Sequence, residues 1–189
     1  MSRAYKIKVK ESARRLLRAR DQVSTQLELL EILPPERMAD LLANELQRRG
    51  FKSEGAGTLQ RAADGIVIEV NTKTATVTAK VEIEQSVLVE GERQAWTEAR
   101  GAQAKQEERK YRDELQRDLQ RQTDEQRAKL QTQVTDRLER HLTDLRKELD
   151  QAVNRVIAEA LKEKAAQLGQ IKELTEDAAT GSLTIVLEV

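Results

Sequence analysis

The chain predicts an α+β fold: a small antiparallel sheet with one packed helix, a long projecting helical arm, and a C-terminal strand that returns to the sheet. Three observations carry this. Apolar and polar residues alternate at period two through much of residues 1–91. A stretch of about 80 residues, from Glu92 to Asp177, reads as continuous helix: it has no proline, only Gly101 and Gly169 as glycines, and is rich in Glu, Arg, Lys and Gln. Leu183, Ile185, Leu187 and Val189 then alternate once more after a Gly181-Ser182 turn.

Taken in order, Tyr5, Ile7 and Val9 alternate with Lys6, Lys8 and Lys10, which predicts a half-buried strand with a basic outer face. A second extended stretch covers Arg14–Ala19, Asp21-Gln22 reads as a turn, and Thr25, Leu27 and Leu29 alternate again. Pro34-Pro35 opens a helix, because proline suits the first helical turn. Met38, Leu41, Leu42 and Leu46 share its inner face, Gly50 stands at the left-handed C-terminal cap, and Phe51 folds back onto it. Residues 53–65 read as loop with a short strand at Leu59. Ile66, Ile68 and Val70 make a strand, Asn71-Thr72-Lys73 a turn, and Ala75 to Val89 the longest strand, with Thr74, Thr76, Thr78, Lys80, Glu82 and Glu84 on its polar face.

The boundaries expected are therefore a sheet domain of residues 1–91 with 181–189, and an arm of residues 92–178. Laid straight, such an arm would span roughly 120 Å. A lone terminal strand has nowhere to bury its face, so it must pair with the N-terminal sheet. Either the arm doubles back as a helical hairpin with its tip in 120–136, or two chains pair antiparallel as a homodimer and exchange strands. Residues 120–129 hold one apolar residue, Ala128, and Thr123-x-x-Gln126 resembles a capping box. The arm seam runs Val134, Leu138, Leu142, Leu145, Leu149, Val153, Val156, Ala160, an 11-residue repeat that predicts a nearly straight coiled coil. Tyr111, Leu115 and Leu119, continued by Gln122 and Gln126, form its thinner N-terminal half. Trp96 is expected to wedge the arm against the sheet.

Composition excludes several functions. Cysteine is absent, so there is no disulfide framework, thiol nucleophile or thiolate metal site. No apolar run approaches the ~20 residues that cross a bilayer, and no apolar segment follows the N-terminal charges; neither a membrane span nor a leader is expected, and the cytoplasm is the default location. His141, the single histidine, forms with Glu139 a Glu139-x-His141 pair without the i,i+3 or i,i+4 spacing that puts two ligands on one helix face, and it reads as a solvated helix residue. No phosphate-binding glycine loop or nucleophile motif is present. No catalytic residue, metal or cofactor is expected, and the chain reads as no enzyme.

Charge is the remaining signal. The net charge is zero, yet residues 1–20 hold eight bases and one acid, +7, so the other 169 sum to −7. Lys6, Lys8, Arg14 and Arg15 are the candidate contacts for phosphates or for an acidic protein. Aromatics are only 2% of the chain, which leaves little for base stacking. Protein recognition is therefore preferred, by an adaptor or scaffold using sheet and arm; nucleic-acid binding through the basic face is the alternative.

The opening SRAYKIKVKES, followed by QLELLEILPPERMADLLANELQRRGF and a strand pair, resembles small accessory proteins of bacterial ternary systems. Those systems combine an AAA+ ATPase of MoxR or FtsH-like type with a von Willebrand A protein and accessory domains. The resemblance covers residues 1–90 and implies an accessory protein with either of those as partner, in a stress or conflict response. It carries over no functional residues.

Overall fold

The computed structural model describes residues 5–98, 101–177 and 182–188. The expected turn residue Gly181, the strand end Val189 and the basic Arg3 lie outside them. The fold is α+β, as the alternation predicts. A five-stranded antiparallel sheet has the order β1-β5-β4-β3-β2, with β1 Tyr5–Gln26, β2 Lys52–Gly55, β3 Thr58–Ala63, β4 Ile66–Asn71 and β5 Thr76–Thr97. Helix α1 is Pro35–Arg48 and helix α2 Ala102–Leu168; β6 Gln170–Asp177 and β7 Ser182–Glu188 form a separate two-stranded sheet. The chain divides into two compact units: unit 1, Met1–Arg20 with Glu82–Thr135, and unit 2, Asp21–Val81 with Asp136–Val189. β1, β5 and α2 contribute residues to both.

Unit 2 holds the larger core. α1 starts at Pro35 and buries Met38, Leu42 and Leu46. It ends in the predicted left-handed cap: Gly50 has φ +86, Phe51 N donates to Leu46 O at 3.1 Å, and Gly50 N to Gln47 O at 3.0 Å. Phe51 is thereby turned back into the core, 3% exposed. The short strand expected at Leu59 is β3, and a second strand, β2, forms where only loop was expected, because 53–65 contains two tight hairpin turns. Ala56-Gly57 (φ 52 and 83) joins β2 to β3, and Asp64-Gly65 (φ 51 and 73) joins β3 to β4. Positive φ at both central residues is what a two-residue turn between twisted strands requires.

On the helix side, Leu138, Leu145, Leu149, Val153 and Val156 of α2 are buried, with Leu142 partly so. The 11-residue stripe is therefore real, but it packs on a sheet rather than on a second long helix: Leu138, Leu142 and Leu145 share a small cavity of about 130 Å³ with Ile66, Ile68 and Ala79. At ~1.5–3 kcal/mol per fully buried aliphatic side chain, this stripe is a main source of unit 2 stability. A polar clasp adds direction. Arg61 of β3 lies 4.5 Å from the Phe51 ring centroid and donates two bonds, 2.7 and 2.6 Å, to the Glu148 carboxylate of α2. Arg49, which caps α1, donates to Glu148 O at 3.3 Å and to Glu45 Oε1 at 2.7 Å. The Arg61 guanidinium holds the Glu148 carboxylate below its ordinary range.

Unit 1 is a two-stranded part of the sheet backed by α2. The cross-strand pairs Lys10–Glu92 and Arg18–Glu84 both sum to 102, as do Ser24–Thr78 and Leu27 N–Ala75 O in unit 2. The register is thus antiparallel and the same in both units. The expected turn at Asp21-Gln22 is absent; both residues lie within β1.

The helical hairpin is also absent. α2 is continuous through 120–136, and Thr123 caps nothing: its hydroxyl donates to Leu119 O at 2.8 Å, a bond made inside the helix. The polar stretch instead marks a gap. An opening of about 440 Å³ in unit 1 lies between Val87 and Val89 of β5 and Gln122, Glu125 and Gln126 of α2. Nor does the C-terminal strand return to the N-terminal sheet. The chain is extended again from Gln170, so β7 finds its partner in β6, with Leu174 opposite Ile185. The helix proper is correspondingly shorter than Glu92–Asp177, because β5 keeps alternating to Thr97.

Candidate functional site

The most distinctive surface is the outer face of β1 and β5 in unit 1. Odd-numbered residues face α2: Val9, Leu17, Ala19, Val89 and Thr97 are buried. Gly91 permits this packing, since a Cβ there would come within 2.5 Å of Leu115 Cδ1. Two charged residues on the inner side, Arg93 and Glu11, are paired to the helix. Arg93 reaches Glu114 at 2.8 Å and Asp118 at 2.7 Å, holding the Asp118 carboxyl below its ordinary range, and Glu11 lies 3.8 Å from Arg112.

Even-numbered residues of both strands are exposed, and they segregate by sign. β1 presents Lys6, Lys8, Lys10, Arg14, Arg18 and Arg20; β5 presents Glu82, Glu84, Glu90 and Glu92. Lys8 and Lys10 each lie 3.0 Å from Glu92, and Arg18 lies 2.7 Å from Glu84. Gln94 donates to Glu92 as well; with Lys10 and Lys8 it brings the Glu92 carboxyl down to about 2. Three large apolar side chains sit among these charges: Leu16 (58% exposed), Leu88 (58%) and Trp96 (71%). In a register summing to 102, Leu88 stands opposite Arg14 and Leu16 opposite Ser86, so the two leucines are diagonal neighbours.

The four candidate basic residues do not form one patch. Lys6, Lys8 and Arg14 share the outer face, while Arg15 has the parity of the α2 side, where it is also exposed. Lys8 is already paired with Glu92. Trp96 does not wedge arm against sheet among the described residues; it is an outward residue of β5 and largely exposed. The acidic stripe stands at even spacing in the sequence, at Glu82, Glu84, Glu90 and Glu92, but only the pairing of β5 with β1 sets it beside the basic one. His141 is half-buried beside the small cavity of unit 2. Among the described residues no cluster of three or more His, Asp or Glu could hold a metal ion, and no helix is long and apolar enough to cross a membrane.

Fold and surface together define an α+β protein whose distinctive groups lie on an open sheet face. The chain matches the family FtsH ternary system domain X5 over residues 1–189, and belongs to it. That family name makes it a component of an FtsH ternary system, associated with other components such as an AAA+ ATPase. No curated protein and no solved structure matched the chain.

Proposed function

We propose that the protein is a non-enzymatic adaptor of its ternary system, with the outer face of unit 1 as the docking surface for another component, either the AAA+ ATPase or a von Willebrand A protein. The observation that carries this is the exposure of Leu16, Leu88 and Trp96 within a face bearing a basic and an acidic stripe. Large exposed apolar side chains ringed by charge are the usual composition of an interface centre, and a tryptophan is a frequent energetic anchor there. The segregated charges would fix the orientation of the partner.

Phosphate binding by β1 is less well supported. Arg18 is paired with Glu84, Lys8 and Lys10 share Glu92, and the acidic stripe lies directly beside the basic one, where it would repel a polyanion.

The test is site-specific photocrosslinking from positions 16, 88 and 96 in the presence of the other system components. Crosslinks to the ATPase or to its partner protein are expected from all three, and none from outward positions of unit 2 such as 78. If none of the three positions yields a crosslink to a system component, the proposal is wrong. Binding to mixed DNA or RNA that persists at about 0.15 M salt and is lost in Lys6→Glu/Lys8→Glu/Arg14→Glu would replace it with the nucleic-acid reading.

A further inference from the structure

β1 ends the order of the five-stranded sheet, so one row of its backbone N–H and C=O groups has no strand beside it among the described residues. Such edges are normally protected by charge. Residues 6–20 follow that rule, with seven bases on β1. The unit 2 part of the strand does not: Gln22, Val23, Ser24, Thr25 and Gln26 are consecutive, uncharged and exposed.

Beside this neutral edge, on the α2 side of unit 2, runs an open groove of about 850 Å³. Its apolar lining includes Val23, Leu30, Leu142, Leu149, Val153 and Ile157, of which Leu30 is 60% and Val23 40% exposed. Arg146 and Asp150 also line it, one helical turn apart on α2, and neither has an ion-pair partner among the described residues. A base and an acid at this spacing complement a copy of themselves: across a two-fold axis, in an antiparallel helix contact, Arg146 of each chain meets Asp150 of the other.

We infer that the edge Gln22–Gln26 and this groove form an isologous contact with a second copy of the chain. The two β1 edges pair antiparallel about Ser24, and the two α2 helices lie antiparallel over the joined strands, closing the groove with apolar side chains and two Arg146–Asp150 pairs. A copy of this chain fits better than another protein because the edge stretch is neutral and the groove's charges are self-complementary. The basic residues up to Arg20 lie beyond the paired segment, so like charges are not brought face to face. This contact is independent of the docking face in unit 1.

Light scattering on the full chain tests it. A dimer, at twice the 21.5 kDa of the chain, is expected. Arg146→Asp weakens it by roughly tenfold or more, because both symmetry-related pairs turn repulsive, and adding Asp150→Arg restores it. Circular dichroism of each variant confirms the fold. Ser24→Cys, in a chain without cysteine, gives an intermolecular disulfide under mild oxidation. A monomer at all soluble concentrations overturns the inference, as does a dimer insensitive to the charge reversal, or a monomer that takes a different protein into the groove.

Discussion

Gly91 of β5 lies so close beneath Leu115 of α2 that a β-carbon on the glycine would come within 2.5 Å of the leucine Cδ1 and 3.4 Å of Leu119 Cδ2. Leu115 is 3% exposed and has little room to yield. Gly91→Val should therefore destabilise unit 1 by about 1–3 kcal/mol through overpacking, and Gly91→Ala by less. Thermal or urea melts followed by circular dichroism measure this. Leu115→Ala in the Gly91→Val background should recover part of the loss; if the double variant is worse by the full sum of the two single effects, the contact is not the cause.

Arg61 and Glu148 should be coupled. Both are about three-quarters covered and joined by two short charge-assisted bonds. Arg61→Ala or Glu148→Ala should each cost about 1–2 kcal/mol, the lower part of the range for charged hydrogen bonds because water still reaches the pair. The double variant should cost clearly less than the sum in a double-mutant cycle. Strict additivity would show the pair to be energetically silent.

Acid should weaken unit 1 through Glu92. Its carboxyl titrates at about 2 in the folded chain, held down first by Gln94, then by Lys10 and Lys8. A depressed carboxylate stabilises the fold above its unfolded pKa, near 4.3, and this contribution is lost as pH falls towards 2. Glu148, lowered by Arg61, acts in the same direction in unit 2. The melting temperature should fall between about pH 4.5 and 2, and Glu92→Gln should fall less over that interval. An identical pH profile in Glu92→Gln would remove Glu92 from the account.

The continuity of α2 can be checked within unit 1. Spin labels at Glu108 and Ala128, 20 residues apart, should lie about 30 Å from each other, at 1.5 Å per residue. A turn within 120–128 would shorten that distance. Gln122→Pro should be disruptive, by ~3 kcal/mol or more, because it removes a bond from a helix interior.

The sequence revealed local chemistry better than partnership. α1 was legible from Pro35 to Phe51 because its start, apolar face and cap are all encoded within one segment. The alternation of β1, β4 and β5 was legible for the same reason. The Asp64-Gly65 turn carries a hairpin signal within a stretch whose composition is that of a loop. The continuity of α2 was obscured by Thr123 and Gln126, whose side chains suit a cap in one context and a helix interior in another; only the packing of Leu119 and Leu130 on either side decides between them. The pairing of β7 is not legible, because charge-rich Gln170–Asp177 looks helical in composition, while its extended state depends on the neighbouring strand. The two-stripe face of unit 1 is not legible for a related reason: its stripes lie some 70 residues apart, and only the register brings them side by side.

That register also sets where the chain can change length. Between Lys10 and Leu27 every cross-strand pair observed sums to 102, without a bulge to absorb an extra residue. One insertion or deletion within this span would reverse the facing of every residue on one side of it, carrying lysines and arginines inward and leucines outward. The hairpin loops at 56–57 and 64–65 are free of that constraint. Length variation among members of this family should therefore gather in the short hairpins of unit 2 and spare the two long strands.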